Sequence, residues 1–537
     1  MSFDDWDPLH NHSADDLFWT MTNAGEAMPG VQTPLSISAW KDLATVGFQK
    51  AGEAFGVFTP DDGMPCLGLE IFYGRGAMSV TFLGVLGDRA PGTTGDQAVK
   101  GLVGYVPEGM TFSPTKRFYL NVLRRYPRTF LTVPRRLRDL SERQDEWWRR
   151  RIFGLGQLEE RDTRRLLDEA FERHTEATIT QCIAVFNSVQ PVHDAVEQLI
   201  DRIGSGDKSK LTAPVGGAEM EVVADLWRAS RGQLTVEDVV ARHGFHGPVE
   251  GEISSRVWRD DDTPLRKLVD QYARRPEGES PLAADAERIR ERERAERDLL
   301  GAAPLHLRPA ARLVLSLARK RLHLRGVAKR SMLQGFDGVR ASARRLGELL
   351  AAEGPFEDPE DVFYLTTDEI RRPLPRDVKD LVSRRRQRRT EYSGYTLPTN
   401  FAGVPTPIRI DEADPEPSSD RTVVEGIGVS AGVSEGSARV VTDPGFADVE
   451  EDEILIAPTT DPSWSSIMFI SAALVVDIGG ALSHAAVVAR ELGIPCVVNT
   501  RDGTKAIRTG DRVRVDGGEG TVTILERAEG AEAWTGT

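Results

Sequence analysis

The stretch Gly479-Gly480-Ala481-Leu482-Ser483-His484-Ala485-Ala486-Val487-Val488-Ala489-Arg490-Glu491-Leu492-Gly493-Ile494-Pro495 follows a short apolar run, Ala472 to Ile478, rich in β-branched residues. That run reads as a buried strand. Gly479 and Gly480 then permit a tight turn and the close approach of a bulky ligand. Ser483 suits the N-cap position, which places His484 in the first turn of a helix ending at Gly493. The unpaired N–H groups and the helix dipole at that turn favour an arriving anion. They also disfavour an imidazolium, which keeps the ring neutral and nucleophilic near pH 7. A strand, a glycine turn and a helix opening on a histidine thus predict an α/β domain with a phosphoryl-sized anion site at Gly479, Gly480 and Ser483.

Short β-type runs surround this unit: Ser437 to Val441, Glu453 to Ile456, Leu474 to Ile478, Cys496 to Val498, Arg512 to Val515 and Thr521 to Leu525. They predict a compact α/β domain over residues 425–528, with a frayed tail at 529–537. Upstream lies Asp411-Glu412-Ala413-Asp414-Pro415-Glu416-Pro417-Ser418-Ser419-Asp420, acidic, proline-containing and nearly free of large apolar residues. A solvated linker over 411–424 is the natural reading. Before it, residues 134–203 and 281–353 are rich in Ala, Leu, Arg and Glu at helical spacing, so long helices are expected. The first 130 residues, with many glycines and aromatics, read as mixed α and β.

A chain of 537 residues has room for several domains with proper cores. Its net charge of −15 argues against nucleic acid or an anionic membrane as partner. Cys66, Cys182 and Cys496 are too widely spaced for a disulfide framework or a metal site, and fit a reducing cytoplasm. The polar, acidic start is unlike a signal peptide, and the longest apolar run is too short to span a bilayer. Nothing in the sequence indicates a metal of its own.

From about Gly426 to Leu525, including Ala457-Pro458-Thr459-Thr460-Asp461-Pro462-Ser463-Trp464 and the glycine–histidine stretch, the chain resembles the phosphohistidine mobile domain of the PEP-utilising enzymes. Rifampin phosphotransferase and the aryl phosphate synthases belong to that family. The resemblance implies that His484 is a phosphoryl carrier on a swivelling domain. Trp19 to Ser36, His243-Gly244-Phe245-His246-Gly247-Pro248 running on to Trp258-Arg259, and Asp358 to Leu365 resemble, in the same order, the acceptor-binding region of rifampin phosphotransferase. The fold class expected is therefore multidomain: a largely helical acceptor domain over 1–410, α+β at its N-terminal part, followed by the swivelling domain.

Arg325 and Lys329 stand four apart in helical sequence and share a face. By the resemblance they lie at the acceptor site, where two fixed cations stabilise a phosphoryl group in transit. A solvent-facing basic helix is the plainer alternative. His243 and His246 are candidates for the base that takes the acceptor's hydroxyl proton, or else structural residues of a glycine-rich loop. Asn23, Glu26 and Thr33 are candidates for the acceptor pocket, although a glutamate in such a loop often serves backbone N–H groups instead. The chain opens almost at the acceptor motif and shows no Walker-type phosphate loop. ATP, with Mg2+ or Mn2+, is accordingly expected on an ATP-grasp partner subunit. Leu482 stands where pyruvate phosphate dikinases have a regulatory threonine, which removes the expectation of that regulation. The acceptor expected is a small aromatic alcohol of the phenol or 4-methylphenol kind. The alternatives are a rifamycin-like acceptor and a non-catalytic scaffold.

Overall fold

A computed structural model describes residues 7–59, 68–212, 217–410, 422–441, 449–450, 453–460, 464–480 and 483–528. The expected linker core and the tail at 529–537 fall outside the described residues. So do the side chains of Asn23, Glu26 and His484. Among the described residues, the helices that frame the molecule are α1 (Pro34–Phe55), α2 (Tyr119–Arg151), α3 (Glu160–Ala184), α4 (Gln190–Ile203), α5 (Ala218–Ser230), α6 (Val236–His243), α7 (Thr263–Arg274), α8 (Leu324–Glu353), α9 (Ser465–Ile470) and α10 (His484–Leu492). No described helix is long and apolar enough to cross a membrane.

Contacts divide the chain into two compact units: residues 1–190, 251–255 and 327–413 in the first, and 191–250, 256–326 and 414–537 in the second. This differs from a single cut at the linker, because the middle of the helical region shares its apolar core with the C-terminal sheet. α8 runs across the division.

In the first unit α1, α2, α3 and most of α8 are the longest helices, joined by shorter ones such as Val378–Ser393. A four-stranded antiparallel sheet joins Leu69–Phe72, Arg75–Ser79, Phe18–Thr20 and Asn400–Ala402 in that order. The expected mixture of α and β near the N-terminus is thus present, closed by a strand from residue 400. α2 continues through Pro127 and Pro134. The sequence suggested a start at Pro134, since proline in a helix interior removes a hydrogen bond and strains the preceding turn. Burial of Val122, Val133, Leu137, Leu140 and Trp148 along one side of the helix outweighs that penalty.

The second unit holds an eight-stranded sheet among the described residues, ordered Val423–Glu425, Thr521–Glu526, Arg512–Asp516, Val433–Val440, Ile454–Ala457, Ala473–Val476, Cys496–Val498, Ile427–Ser430. The four strands from Val433–Val440 to Cys496–Val498 are parallel and the rest pair antiparallel. Alternation along the strands separates two cores. Ile454, Ile456, Val475 and Val497 pack on one face with Val513, Val515 and Ile524. Leu455, Leu474 and Val476 face the other way, into a cluster that also contains Trp464 and Met468 near α9, Ala485 and Ala489 of α10, Leu226 and Trp227 of α5, and Leu268 and Tyr272 of α7. The helices α5 and α7 therefore finish the core of the histidine-bearing domain. At about 25 cal/mol per Å² of apolar surface removed from water, two tryptophans and their neighbours make that seam a substantial stabilising contact.

Candidate active site

The parallel strand Ala473–Val476 is wholly buried and runs into the glycine turn. Neither Gly479 nor Gly480 has a left-handed backbone. Gly479 matters by proximity: a Cβ there would lie 3.2 Å from Ser483 Oγ and 3.3 Å from the Val498 side chain, whereas Gly480 meets nothing within 4 Å. The turn closes through the Ser483 N–H, which donates to the Gly480 carbonyl at 3.0 Å. Ser483 is the N-cap, its hydroxyl accepting from the Ala486 N–H at 3.1 Å, and His484 is the first residue of α10. The helix stops at Gly493, which takes the left-handed conformation with φ 71°. Backbone and cap thus put His484 at the positive end of a nine-residue helix, beside the carboxyl edge of the parallel strands.

Just before the turn, Asp477 is buried and accepts from the Thr500 hydroxyl at 2.9 Å, the Thr504 N–H at 3.1 Å and the Thr504 hydroxyl. Burial raises its carboxyl above the ordinary value, against the pull of those bonds. Asp477 pins the end of the strand to the Thr500–Thr504 loop, and so fixes where the turn begins.

The last turn of α10 carries Arg490, whose Nε donates to the Val429 carbonyl at 2.7 Å. Burial lowers its proton affinity; Cys496 and Glu197 of α4 raise it against that, and Arg325 lowers it by the least. Arg325, at the start of α8, is thus among the charges felt at Arg490, which stands at the end of α10 opposite to His484. Lys329 follows one turn later, and both cations are half-buried. On α4, His193, Asp194 and Glu197 gather ligand atoms within 4.8 Å of one another, a grouping able to hold a metal ion. The sequence reading did not find it.

The two loop histidines have different partners. His243, the last residue of α6, is buried and its Nε2–H donates to Asp225 Oδ2 at 3.0 Å. Asp225 also accepts from Arg228 at 2.9 Å and Arg242 at 3.1 Å. Burial alone would raise its carboxyl, but these three donors hold it well below the usual carboxylate range. His246 is bonded through Nδ1 to Glu250 Oε1 at 2.5 Å, both groups buried, and packs on Phe245 and Trp258. The loop returns on itself through Trp258 N–H to His246 O at 2.8 Å and Arg259 N–H to Gly244 O at 3.0 Å. A carboxylate on Nδ1 fixes the tautomer and leaves Nε2 as the basic nitrogen. Sequence reading missed Glu250, although its His-x-x-x-Glu spacing was visible.

Thr33 does not line an open pocket. It is the N-cap of α1, 1% exposed, with its N–H and hydroxyl donating to Glu252 at 2.8 and 2.7 Å. Ser36 Oγ and the Ser254 N–H reach the same carboxylate at 2.7 and 2.8 Å. Asn23 and Glu26 lie in the short helix Thr22–Ala27.

Comparison with known proteins agrees with this architecture. Residues 449–520 match the mobile domain of the PEP-utilising enzymes, and residues 177–326 match the rifampicin phosphotransferase fourth domain. An uncharacterised protein of Mycobacterium tuberculosis is 33% identical over 293 residues, 53% of this chain and 30% of its own length. Rifampicin phosphotransferase of a Streptomyces species is 29% identical over 408 residues, 67% of this chain and 46% of its own. An uncharacterised phosphotransferase of Bacillus subtilis is 33% identical over 194 residues, 34% and 23% of the two chains. The chain spans less than half the length of each of these relatives. One match covers His484 and its helix and the other ends one residue past Arg325: over these two regions the chain is similar to the PEP-utilising enzymes and to rifampicin phosphotransferase.

Proposed function

We propose that this chain is the acceptor-and-carrier part of an ATP-dependent phosphotransferase. His484 takes a phosphoryl group from an ATP-grasp partner subunit that binds ATP with Mg2+ or Mn2+, and passes it to the hydroxyl of an aromatic alcohol of the phenol or 4-methylphenol kind. The observation that carries this reading is the placement of His484 as the first residue of α10, capped by Ser483 and following the buried parallel strand Ala473–Val476. In the transfer the P–N bond of phospho-His484 breaks and a P–O bond forms. The hydroxyl proton passes to Nε2 of His246, whose Nδ1–H is held by Glu250. Arg325, with Lys329 one turn on, balances charge on the phosphoryl oxygens while it is between nitrogen and oxygen.

A rifamycin-like acceptor is the second reading, supported by the 408-residue match to a Streptomyces rifampicin phosphotransferase. The test is intact-protein mass under conditions that spare phosphohistidine, with Mg-ATP and the ATP-grasp partner. One phosphoryl adduct that maps to His484, disappears on adding phenol and is absent from His484→Ala supports the first reading. An adduct discharged by rifampicin but not by phenol supports the second. Transfer that survives His484→Ala sinks both.

A further inference from the structure

The helix α2 changes character along its length. From Asp139 onward its guanidinium groups are paired: Arg143 with Glu176 at 2.8 Å, Arg149 with Asp145 at 3.0 Å, Arg150 with Glu146 at 2.7 Å and Arg151 with Glu169 at 3.3 Å. Before Asp139 the pattern stops. Residues 109–138 hold Lys116, Arg117, Arg124, Arg125, Arg128, Arg135, Arg136 and Arg138 and no acidic residue, in a chain whose net charge is −15. With +8 in this segment, the rest of the chain stands at −23. Arg124, Arg128, Arg136 and Arg138 are exposed and have no ion pair among the described residues. Arg135 approaches Asp139 only to 3.9 Å.

The same half of α2 leaves leucines in water. Leu120 is 56% exposed, and Leu123 and Leu131 are each 72% exposed, while Val122, Val133 and Leu137 on the side turned to the core are buried. Leu120, Leu123, Pro127, Leu131 and Pro134 follow one another at spacings of three, four, four and three residues. That is the spacing of a coiled-coil seam two heptads long, about 21 Å at 1.5 Å per residue. Arg124, Arg128 and Arg135 each stand one residue after a member of this strip, so they form a row along one flank of it. A single exposed leucine is ordinary. A continuous apolar strip edged by unpaired arginines has the make-up of a protein interface, with an apolar centre and a charged rim.

We propose that this strip docks an acidic helix of a partner protein, whose leucines meet Leu120, Leu123 and Leu131 and whose carboxylates meet Arg124, Arg128 and Arg135. Shape and charge together select that occupant. A strip one side chain wide fits a helix, which touches the strip alone. An anionic membrane is a plane, and it would also face the surface of a chain that carries −23 elsewhere. A second copy docked by the same strip would set the arginine row against itself. A helix carrying glutamate or aspartate beside its leucines answers both the apolar strip and the unpaired charge. The arginines steer its approach, and the leucines hold it once water is excluded.

The test uses the full chain and a synthetic three-heptad peptide with leucine at the seam positions and glutamate beside them, which like-charge repulsion keeps unfolded on its own at pH 7. Isothermal titration reads the affinity, and circular dichroism reads the helix formed on binding. The wild-type chain is expected to bind the peptide, and to bind it more weakly as salt is raised. Leu123→Glu with Leu131→Glu, and separately Arg124→Glu with Arg128→Glu, should each lose about tenfold or more in affinity. All four side chains are exposed, so an unchanged Tm is expected and shows that the variants fold; Leu123→Ser with Leu131→Ser replaces the first pair if its Tm falls. No binding to the wild-type chain, or equal binding by the variants, overturns the proposal. Equal binding of a peptide with lysine in place of glutamate overturns it as well, since charge would then play no part. Co-sedimentation with vesicles of phosphatidylglycerol and phosphatidylcholine, lost in the same variants and unaccompanied by peptide binding, assigns the strip to a membrane surface instead. Self-association of the wild-type chain that Leu123→Glu abolishes, again without peptide binding, assigns it to a second copy.

Discussion

Asp225→Asn isolates the role of the buried charge beside His243. The carboxylate holds three donors at 2.9–3.1 Å, and Asn keeps its shape while removing its charge. The bond from His243 counts most, because that side chain is 4% exposed. Losing the charged partner there costs about 1–2 kcal/mol, from the difference between charged and neutral hydrogen bonds. The Arg228 and Arg242 side chains are 44% and 41% exposed. Solvent screening therefore reduces their share to about 0.5 kcal/mol each. The sum is about 2–3 kcal/mol at pH 7. The pH dependence follows from the depressed carboxyl. Its stabilisation is complete above the unfolded value of 3.8 and drains away as pH falls toward the lower folded value. The gap between wild type and variant should therefore be constant from pH 7 to 5 and narrow below pH 4, where the wild-type group also becomes neutral. Urea unfolding of the full chain at pH 7, 5 and 3, followed by circular dichroism, measures it. A gap under about 0.5 kcal/mol at pH 7, or one that widens between pH 5 and 3, would refute the assignment of His243 to a charge-held structural clamp.

Three further outcomes follow from the same geometry. Glu250→Gln should slow transfer from phospho-His484 to the acceptor by about ten- to a hundredfold, with the acid limb of the rate profile moved to lower pH as His246 loses its carboxylate; rapid-quench kinetics across pH reads both, and an unmoved limb removes His246 as base. Ser483→Ala deletes the cap bond to Ala486 and should cost about 1 kcal/mol, with Ser483→Thr recovering most of it in thermal unfolding. Gly335→Ala drives a Cβ into the His174 backbone at 2.8 Å and should destabilise by about 1–3 kcal/mol; a neutral result would show that α3 and α8 can part without strain.

The glycine–histidine stretch was legible because its signals are local. Ser483, His484 and Gly493 define cap, first turn and stop within eleven residues, and all six strands expected around them are present within a few residues of their expected ends. Where the partner is remote in sequence, that legibility fails. Val423–Glu425 lies on the edge of what composition marks as linker, and becomes a strand by pairing with Thr521–Thr523 a hundred residues away. Ile427–Ser430 pairs antiparallel with Cys496–Val498 on the far side of the histidine helix. Both runs are short, and Ile427–Ser430 is interrupted by Gly428, so neither claims to be β on its own; the sheet edge confers it.

The same distinction governs the site. Glu250 could have been found, because a carboxylate four residues after a histidine is a local pattern. Glu252, 219 residues from Thr33, could not: a threonine before Pro34 announces a helix cap, but nothing near it shows that a buried glutamate will claim its hydroxyl. Arg325 and Lys329 share a face by spacing alone, yet their significance depends on which helix they meet. Arg325 is felt electrostatically at Arg490, 165 residues later in the chain, and α5 and α7 share an apolar core with the histidine domain. That core includes Trp227 and Trp464, two residues whose shared cluster no periodicity announces. On the proposed carrier reading the histidine domain leaves α5 and α7 during transfer, and a few charges, which solvent and salt weaken, would not hold it there between transfers. It also cannot be held by a seam too large to open. The balance between these limits is set at the tryptophans, so Trp227→Ala should loosen the docked state more than it alters the fold of the sheet. Hydrogen exchange would then show faster exchange in α9 and α10 while Ile454–Ala457 stays protected; equal loss in all three would mean that dock and sheet are one cooperative body.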